Sequence, residues 1–384
     1  MKRVALFSVT YDPFIGGAEV AIKEVTNRLE GYEFDLFTAR LNVRLPRHER
    51  IGNVNVYRVG SGRSLLDKWL YPWRAARLAL RKHVEKPYDI IHAVLETYAG
   101  FAALLFKRRC PSVPYLLTLQ SGDPDEFINK RTWFWKKTYA QIYTKTDKIT
   151  AISTWLSKRA QKYGARVEDI VIIPNAVDER FFQEVSEERQ REIRKSWGIK
   201  ENEFVVITTS RLVRKNGIDI LIDAMEHVPE QVKLVIAGTG KDEQKLKAQA
   251  EKFGNRVLFL GHVSHESLPE LLWSSDAFVR PSRSEGLGNS FLEATAAGLA
   301  VIGAPVGGIK DLIKEGIVEA ITENNARGVA KKINDIRSQP HSYKDALQPA
   351  GRDVVKRQFS WNVIARQYED EYQKLINQAH VPAR

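Results

Sequence analysis

The sequence contains a single cysteine, Cys110, in 384 residues. One thiol closes no internal disulfide and builds no cysteine-based metal site, which fits a reducing compartment. No uncharged apolar run approaches the roughly 20 residues that span a bilayer, so no transmembrane helix is expected. No secretory leader is expected either, because Val4 to Val9 already reads as a buried strand and no cleavage-type segment follows it. Low-complexity segments and short repeats are also missing. Disorder is excluded by a hydrophobic content of 43% with 10% aromatics.

Charge imbalance is scarce in one half only. Residues 183–384 hold 29 Lys+Arg against 28 Asp+Glu, whereas residues 1–182 hold 30 against 19, which places nearly all of the net +12 in the first half. One surface there is expected to meet something acidic: nucleic acid, an anionic membrane or a phosphorylated substrate. The chain carries no recognised nucleic-acid-binding motif, so nucleic acid is not expected as a partner.

The length exceeds one ordinary core and fits two domains. Short apolar runs at Val4–Val9, Phe34–Thr38, Val54–Val59, Ile90–Ala93, Tyr115–Leu119, Lys148–Ile152 and Ile170–Ile173 alternate with helical patterns such as Ala18–Leu29 and Leu65–His83. A polar stretch follows at 183–200. The alternation then restarts with Val205–Thr209, Val232–Gly238, Val257–Leu260, Ala277–Val279 and Ala300–Gly303. Strand, crossover helix, strand is the signature of a parallel sheet covered on both faces. Two α/β units are expected, over residues 1–182 and 183–360. Beyond Pro349 the pattern is helical, with a last helix from about 361 to 384. Ligands of such sheets bind beyond the carboxyl ends of the strands.

Three loops at such ends carry chemistry. In Tyr11-Asp12-Pro13-Phe14-Ile15-Gly16-Gly17-Ala18-Glu19 the glycine pair opens a helix, where free N–H groups favour an anion; the alternative is a tight turn. In Ser210-Arg211-Leu212-Val213-Arg214-Lys215-Asn216-Gly217 a forked Arg and a nearby Lys suit a diphosphate; the alternative is a solvated basic loop. In the segment from Pro281 to Ala294, Glu285 stands in a Gly-rich turn. Glu293 stands two turns into an otherwise apolar helix, where it needs a partner: a sugar or ribose hydroxyl, or a structural salt bridge.

This third segment, with Gly298-Leu299-Ala300-Val301-Ile302 and Gly307-Gly308, resembles the Glu-x7-Glu region of the family 4 retaining glycosyltransferases. Gly16-Gly17 resembles that family's diphosphate loop. Ile172 to Asp178 resembles its Ile-Pro-Asn-Gly-Val-Asp element, and Arg211 with Lys215 its basic pair. Ala237-Gly238-Thr239-Gly240 and Leu260-Gly261-His262-Val263 resemble its glycine turns, and Phe359-Ser360-Trp361 the start of its final helix.

The resemblance implies a GT-B fold, two Rossmann-like doubly wound domains facing across a cleft, with the C-terminal helix returning to the first. It implies transfer of a sugar from a nucleotide-diphosphate sugar to an acceptor, lipid-linked or a growing glycan, with retention. The alternative is a GT-B-fold sugar-nucleotide epimerase or phosphorylase. By the same resemblance Arg211 and Lys215 stabilise the leaving diphosphate, with Gly16 and Gly17 capping it. Glu285 contacts the transferred sugar and Glu293 the ribose. Gly238 and the backbone near His262 meet the nucleotide, and the amides of Leu287, Gly288 and Asn289 meet sugar or phosphate oxygens.

Two positions depart from the family pattern. Asn216 stands where the lysine is usual, so Lys215, one residue early, or Arg214 supplies the second cation. Gln120 stands where a histidine is frequent; it can hydrogen-bond a donor-sugar hydroxyl but cannot titrate.

No metal or other cofactor is expected. Asp123-Pro124-Asp125 has the literal Asp-x-Asp form of a divalent-metal site, but reads as a helix cap or an acceptor contact. His92 reads as a packed histidine. Tryptophans interleave with basic residues over 65–82 and 130–137, and Lys107-Arg108-Arg109 adds charge. Such a mixture suits an anionic membrane surface; the alternative is a solvated face over core aromatics. The expected location is cytoplasmic, with peripheral contact on the inner face of the membrane.

Overall fold

The computed structural model describes residues 1–14, 16–63, 66–339 and 348–379. Ile15 of the glycine loop, Leu65 at the head of an expected helix, and residues 380–384 lie outside them. The chain divides into two compact units. Met1–Asn175 with the helix Trp361–Ala379 form the first, and Ala176–Ser360 form the second. Residues 176–182, assigned above to the first domain, pack with the second unit. Val177 N–H donates to Phe359 O at 2.9 Å, and Trp273 Nε1 donates to Phe181 O at 3.2 Å.

The first unit is built on eight strands: β1 (Lys2–Phe7), β2 (Tyr32–Ala39), β3 (His48–Ile51), β4 (Val54–Val59), β5 (Ile90–Val94), β6 (Tyr115–Leu119), β7 (Lys148–Ala151) and β8 (Ile170–Ile172). Their order is β3-β4-β2-β1-β5-β6-β7-β8. Neighbours pair in parallel except β3, which runs antiparallel to β4. The strand β3 has no counterpart in the sequence reading. Its residues His48-Glu49-Arg50-Ile51 alternate between exposed and half-buried at the sheet edge, so no apolar run marks it.

The second unit holds β9 (Phe204–Thr209), β10 (Val232–Ala237), β11 (Val257–Gly261), β12 (Ala277–Arg280), β13 (Ala300–Gly303) and the two-residue β14 (Glu319–Ala320). All pair in parallel, in the order β11-β10-β9-β12-β13-β14. The central strands β5, β6, β10, β12 and β13 are buried along their whole length, as parallel strands covered on both faces must be. Side chains cap several crossover helices. Ser153 Oγ accepts from Leu156 N–H, and Asn325 Oδ1 accepts from Gly328 N–H. Each sheet has one switch point where the strand order reverses, between β1 and β5 and between β9 and β12. Ligands of open parallel sheets bind there.

The helix Trp361–Ala379 packs on the first unit's sheet rather than on the unit that precedes it. Its Tyr372 OH lies 2.7 Å from His92 Nδ1, and His92 Nε2 lies 2.7 Å from Thr118 Oγ1. Thr118 Oγ1 in turn lies 2.6 Å from Thr150 Oγ1. Arg28 Nε of the helix Gly17–Arg28 donates to Asn362 Oδ1 at 3.0 Å. A polar row thus runs from the C-terminal helix through β5 and β6 to β7. His92 sits inside β5, bonded on both ring nitrogens, so it is a packed residue.

Burial pushes the His92 imidazole from its ordinary 6.5 down to about 3. The folded chain keeps it neutral where the unfolded chain takes up a proton. The unfolded state therefore binds more protons between about pH 3 and 6.5, and stability falls as pH drops through that window. At pH 5 the expected loss on account of His92 is about 2 kcal/mol. It is read as a falling melting temperature, and His92→Gln, which keeps a donor and an acceptor, is expected to flatten the slope. An unchanged slope in His92→Gln would assign the acid sensitivity to other groups.

Candidate functional site

The second unit's switch point is occupied by a buried arginine. Strand β12 is apolar until its last residue, Arg280, which is 5% exposed. Its guanidinium lies over the Phe291 ring, 4.6 Å from the centroid. It donates from Nη1 to Ser290 Oγ at 2.6 Å and to Thr209 O, at the end of β9, at 3.4 Å. From Nη2 it donates to Glu285 Oε2 at 2.8 Å. The other carboxylate oxygen, Oε1, accepts from Gly286 N–H at 3.0 Å. A charge this deep is tolerated because it is paired and hydrogen-bonded.

The backbone of Glu285 is fixed from behind. Gly308 N–H donates to Glu285 O at 3.1 Å. Gly307 has a φ of +52°, and a Cβ there would lie 1.9 Å from the same oxygen. Only glycine meets both conditions. Gly238, with a φ of +140°, is similarly required: a Cβ there would lie 1.9 Å from Ser210 O.

The loop after β9 is laced to the loop after β12. Lys215 O accepts from Arg283 N–H at 2.7 Å, and Arg283 places its two Nη atoms 2.7 Å from the two carboxylate oxygens of Asp219. Arg283 Nη1 also donates to Arg214 O at 2.8 Å. Asn216 is buried and folds its side chain back, Nδ2 donating to Arg211 O at 2.7 Å. It closes the loop from inside. Arg211 and Arg214 are exposed and Lys215 is half-buried, all beside the turn that carries Glu285. Cations and a fixed carboxylate therefore flank one switch point.

Glu293 lies early in the second turn of the short helix Asn289–Ala296. Its Oε1 is 3.0 Å from His265 Nε2. That hydrogen bond raises the His265 pKa against the opposing effect of burial, with the Glu293 charge adding to the rise. The Phe181 ring packs 5.2 Å from the imidazole. His262 is exposed just beyond β11. The side chain of Leu287 is buried, so only its backbone can reach a ligand, and Gly288 caps the helix start with a φ of +94°. Asn289 is half-buried at the first position of that helix.

The remaining candidates belong to the first unit, and each is described within it. Gly16 precedes the helix Gly17–Arg28. Glu19, in the first turn of that helix and 9% exposed, receives a hydrogen bond from Thr10 Oγ1, and its Oε2 would lie 2.8 Å from a Cβ on Gly16. Gln120 Oε1 accepts from the buried Asn175 Nδ2 at 3.1 Å. Asp125 is not a side-chain cap, because its carboxylate is taken by Arg159 Nε and Lys162 Nζ, each at 2.9 Å. Among the described residues no group of three or more His, Cys, Asp or Glu could hold a metal ion.

Three residues at the two switch points were not anticipated. Arg280 had a signal: a charged residue that ends an apolar strand just before Pro281. His265 had only its place three residues beyond His262. Glu96, just past β5, is fully buried with its Oε1 3.6 Å from Arg159 Nη1. Burial raises its pKa, and Arg159 opposes the rise. Arg159 also donates to Ser121 O at 3.2 Å and Asp123 O at 2.5 Å, tying the loop after β6 to Glu96. Leu95, with a φ of +78°, is the one non-glycine residue of positive φ among those described. No apolar pattern in the sequence encodes that pairing.

Comparison with known proteins covers both halves. The family described as Glycosyltransferase Family 4 matches residues 15–181, and Glycosyl transferases group 1 matches residues 189–353. An uncharacterized glycosyltransferase of Methanocaldococcus jannaschii is 26% identical over 96% of this chain and 97% of its own length. A GDP-mannose-dependent monoacylated alpha-(1-6)-phosphatidylinositol monomannoside mannosyltransferase of Corynebacterium glutamicum is 27% identical over 60% of this chain and 62% of its own. The solved sucrose-phosphate synthase of Thermosynechococcus elongatus has the same GT-B-like fold, with a TM-score of 0.86 over 98% of this chain and all of that one, at 22% identity. Two parallel-sheet units, the Glu285–Glu293 segment at the second switch point and both family matches in chain order lead to one assignment: the chain is a glycosyltransferase of family 4, in the group 1 glycosyl transferases.

Proposed function

We propose that the protein moves a sugar from a nucleotide-diphosphate sugar to a lipid-linked or growing-glycan acceptor, with retention and without a divalent metal, at the cytoplasmic face of a membrane. The observation that carries the reading is the clamp of Arg280 on Glu285, set beside the Arg211–Gly217 loop at the second unit's switch point. The Corynebacterium glutamicum relative's name specifies GDP-mannose and a lipid acceptor, which supports both partner classes.

In this reading the bond from the anomeric carbon to the diphosphate breaks, and its electron pair leaves with the phosphate. Arg211 and Lys215 meet that developing negative charge. Preorganised cations need no rearrangement as the charge appears, and this is the main catalytic device. The acceptor hydroxyl attacks the same face, and the leaving phosphate oxygen takes its proton. No separate base is then needed, which suits a non-titrating Gln120. Glu285, oriented by Arg280, contacts the transferred sugar. Glu293, oriented by His265, receives the ribose hydroxyls, while Gly238 and the backbone near His262 admit the base. The amides of Leu287, Gly288 and Asn289 meet sugar or phosphate oxygens.

The test is to incubate the chain with UDP-, GDP- and ADP-sugars, with and without lipid-linked acceptor. Nucleoside diphosphate should appear only with acceptor, the product should keep the donor's anomeric configuration by NMR, and EDTA should leave the rate unchanged. Release without acceptor, inversion or loss with EDTA would each refute the corresponding part. Arg211→Ala and Lys215→Ala should each lower kcat by about 10²–10³, and Arg214→Ala only a few fold. Reversal of the last two would make Arg214 the second cation. Arg280→Met strands the half-buried Glu285 carboxylate, at an expected cost of about 3–5 kcal/mol, read as a lower melting temperature. Adding Glu285→Gln to Arg280→Met should recover part of that loss but no activity. A neutral Arg280→Met would mean that the clamp is not what fixes the turn.

A further inference from the structure

The first unit carries an aromatic row, exposed at both ends and half-buried between them, assembled from three separated parts of the chain. The Trp73 and Phe101 rings lie 5.3 Å apart, Phe101 and Trp135 5.7 Å, and Trp135 and Trp69 6.2 Å, centroid to centroid. Around this row large apolar side chains face outward: Leu66 is 64% exposed, Trp69 55%, Leu70 42%, Trp73 46% and Trp133 66%. Isolated exposed apolar residues are ordinary, but a contiguous group of this size marks an interaction surface.

Its position follows from the topology. The helix Leu66–Glu85 begins beyond the end of β4, Tyr98–Arg109 beyond β5, and Asp125–Thr132 with the turn Trp133–Trp135 beyond β6. Leu66 to Trp73 and Phe101 lie in the opening turns of their helices. The row therefore stands at the carboxyl edge of the sheet, the edge at which such sheets bind ligands.

The charges around it have one predominant sign. Lys68, Arg77, Lys130, Lys136 and Lys137 are exposed. Of the acids in the same stretches, Asp67 is buried and receives hydrogen bonds from Ser61, Gly62 and Arg74, and Asp125 is paired with Arg159 and Lys162. Among the described residues of 66–77 and 123–137, the exposed acid is Glu126. Tryptophans with an apolar body and a polar N–H, leucines, and a rim of lysines together fit the headgroup zone of a bilayer.

We infer that this face is a membrane-docking surface for anionic bilayers, with Trp69 and Trp133 entering the headgroup region and Lys68, Lys130, Lys136 and Lys137 neutralising lipid phosphates. The inference deepens the proposal of a lipid-linked acceptor. It places the bilayer at the sheet edge where such an acceptor would be met. No described helix is long and apolar enough to cross a membrane, so attachment by this face is peripheral.

Flotation of the full chain with vesicles tests it. Vesicles of phosphatidylcholine with phosphatidylglycerol should carry the protein at low salt, and pure phosphatidylcholine should carry much less. Lys136→Glu with Lys137→Glu should weaken binding by at least about fivefold per lysine. Trp69→Ser with Trp133→Ser should weaken it tenfold or more, with the melting temperature unchanged. Brominated lipid should quench the wild-type tryptophan fluorescence and affect the Trp variant less. Flotation requires no turnover, and transfer to detergent-solubilised acceptor should persist in all these variants. Failure of docking is thereby separated from failure of the proposed reaction. No flotation with anionic vesicles at low salt would overturn the inference. So would flotation indifferent to the tryptophans, a dimer in sedimentation that the Trp variant dissolves, or a fluorescence shift with soluble glycan alone.

Discussion

The site depends on one guanidinium held out of water. Arg280 ends a strand that is otherwise apolar and fully buried, at the point where the second sheet reverses its strand order. A charge in that place must be satisfied by its surroundings, and three acceptors converge on it: the carboxylate of Glu285, the hydroxyl of Ser290 and the carbonyl of Thr209. Together they join the ends of β9 and β12 to the first turn of the helix Asn289–Ala296. The glycines at 238 and 307 let neighbouring backbone close in behind, where any side chain would collide. The exposed cations near Arg211 then stand beside a turn that is already fixed. Preorganisation of this kind lets a leaving group be stabilised without moving the protein at the moment of reaction.

The first unit follows a different economy of polar groups. Its buried side chains form links between elements distant in sequence, such as Tyr372 to His92 to Thr118 and Arg159 to the loop after β6. These links bring the last helix of the chain back to the sheet made by its first half. They also hold Gln120 and the loop that follows it within one hydrogen-bonded frame, with Asn175 at its other side. Outside that frame, the same carboxyl edge shows aromatics and lysines to the surroundings.

Much of this was legible in the chain. Twelve of the fourteen described strands carry runs that overlap those read from apolar pattern, among them Val54–Val59, Tyr115–Leu119 and Ala300–Gly303 with the same bounds, because both faces of a parallel sheet demand apolar residues. The edge strand β3 was not, since it needs no apolar face, and neither was the two-residue β14. The loops at strand ends were found from glycine, proline and charge. What escaped were the partners. Glu293 stood out as a carboxylate in need of company and Glu285 as one set in a Gly-rich turn, but His265 and Arg280 became their partners only once the chain was folded. Asn216 reads in the sequence as a missing lysine, whereas in the fold it ties the loop shut on Arg211 O. Pairing across loops is a property of three-dimensional packing, and no local period encodes it.

The most direct measurement is hydrogen–deuterium exchange of the full chain, with and without whichever of UDP, GDP and ADP raises its melting temperature. The account predicts slowed exchange in the loops at 211–217 and 283–290 and in the turn at 307–308, around the Arg280–Glu285 pair. Protection confined to the first unit, or nucleotide binding that leaves all three segments unchanged, would contradict it.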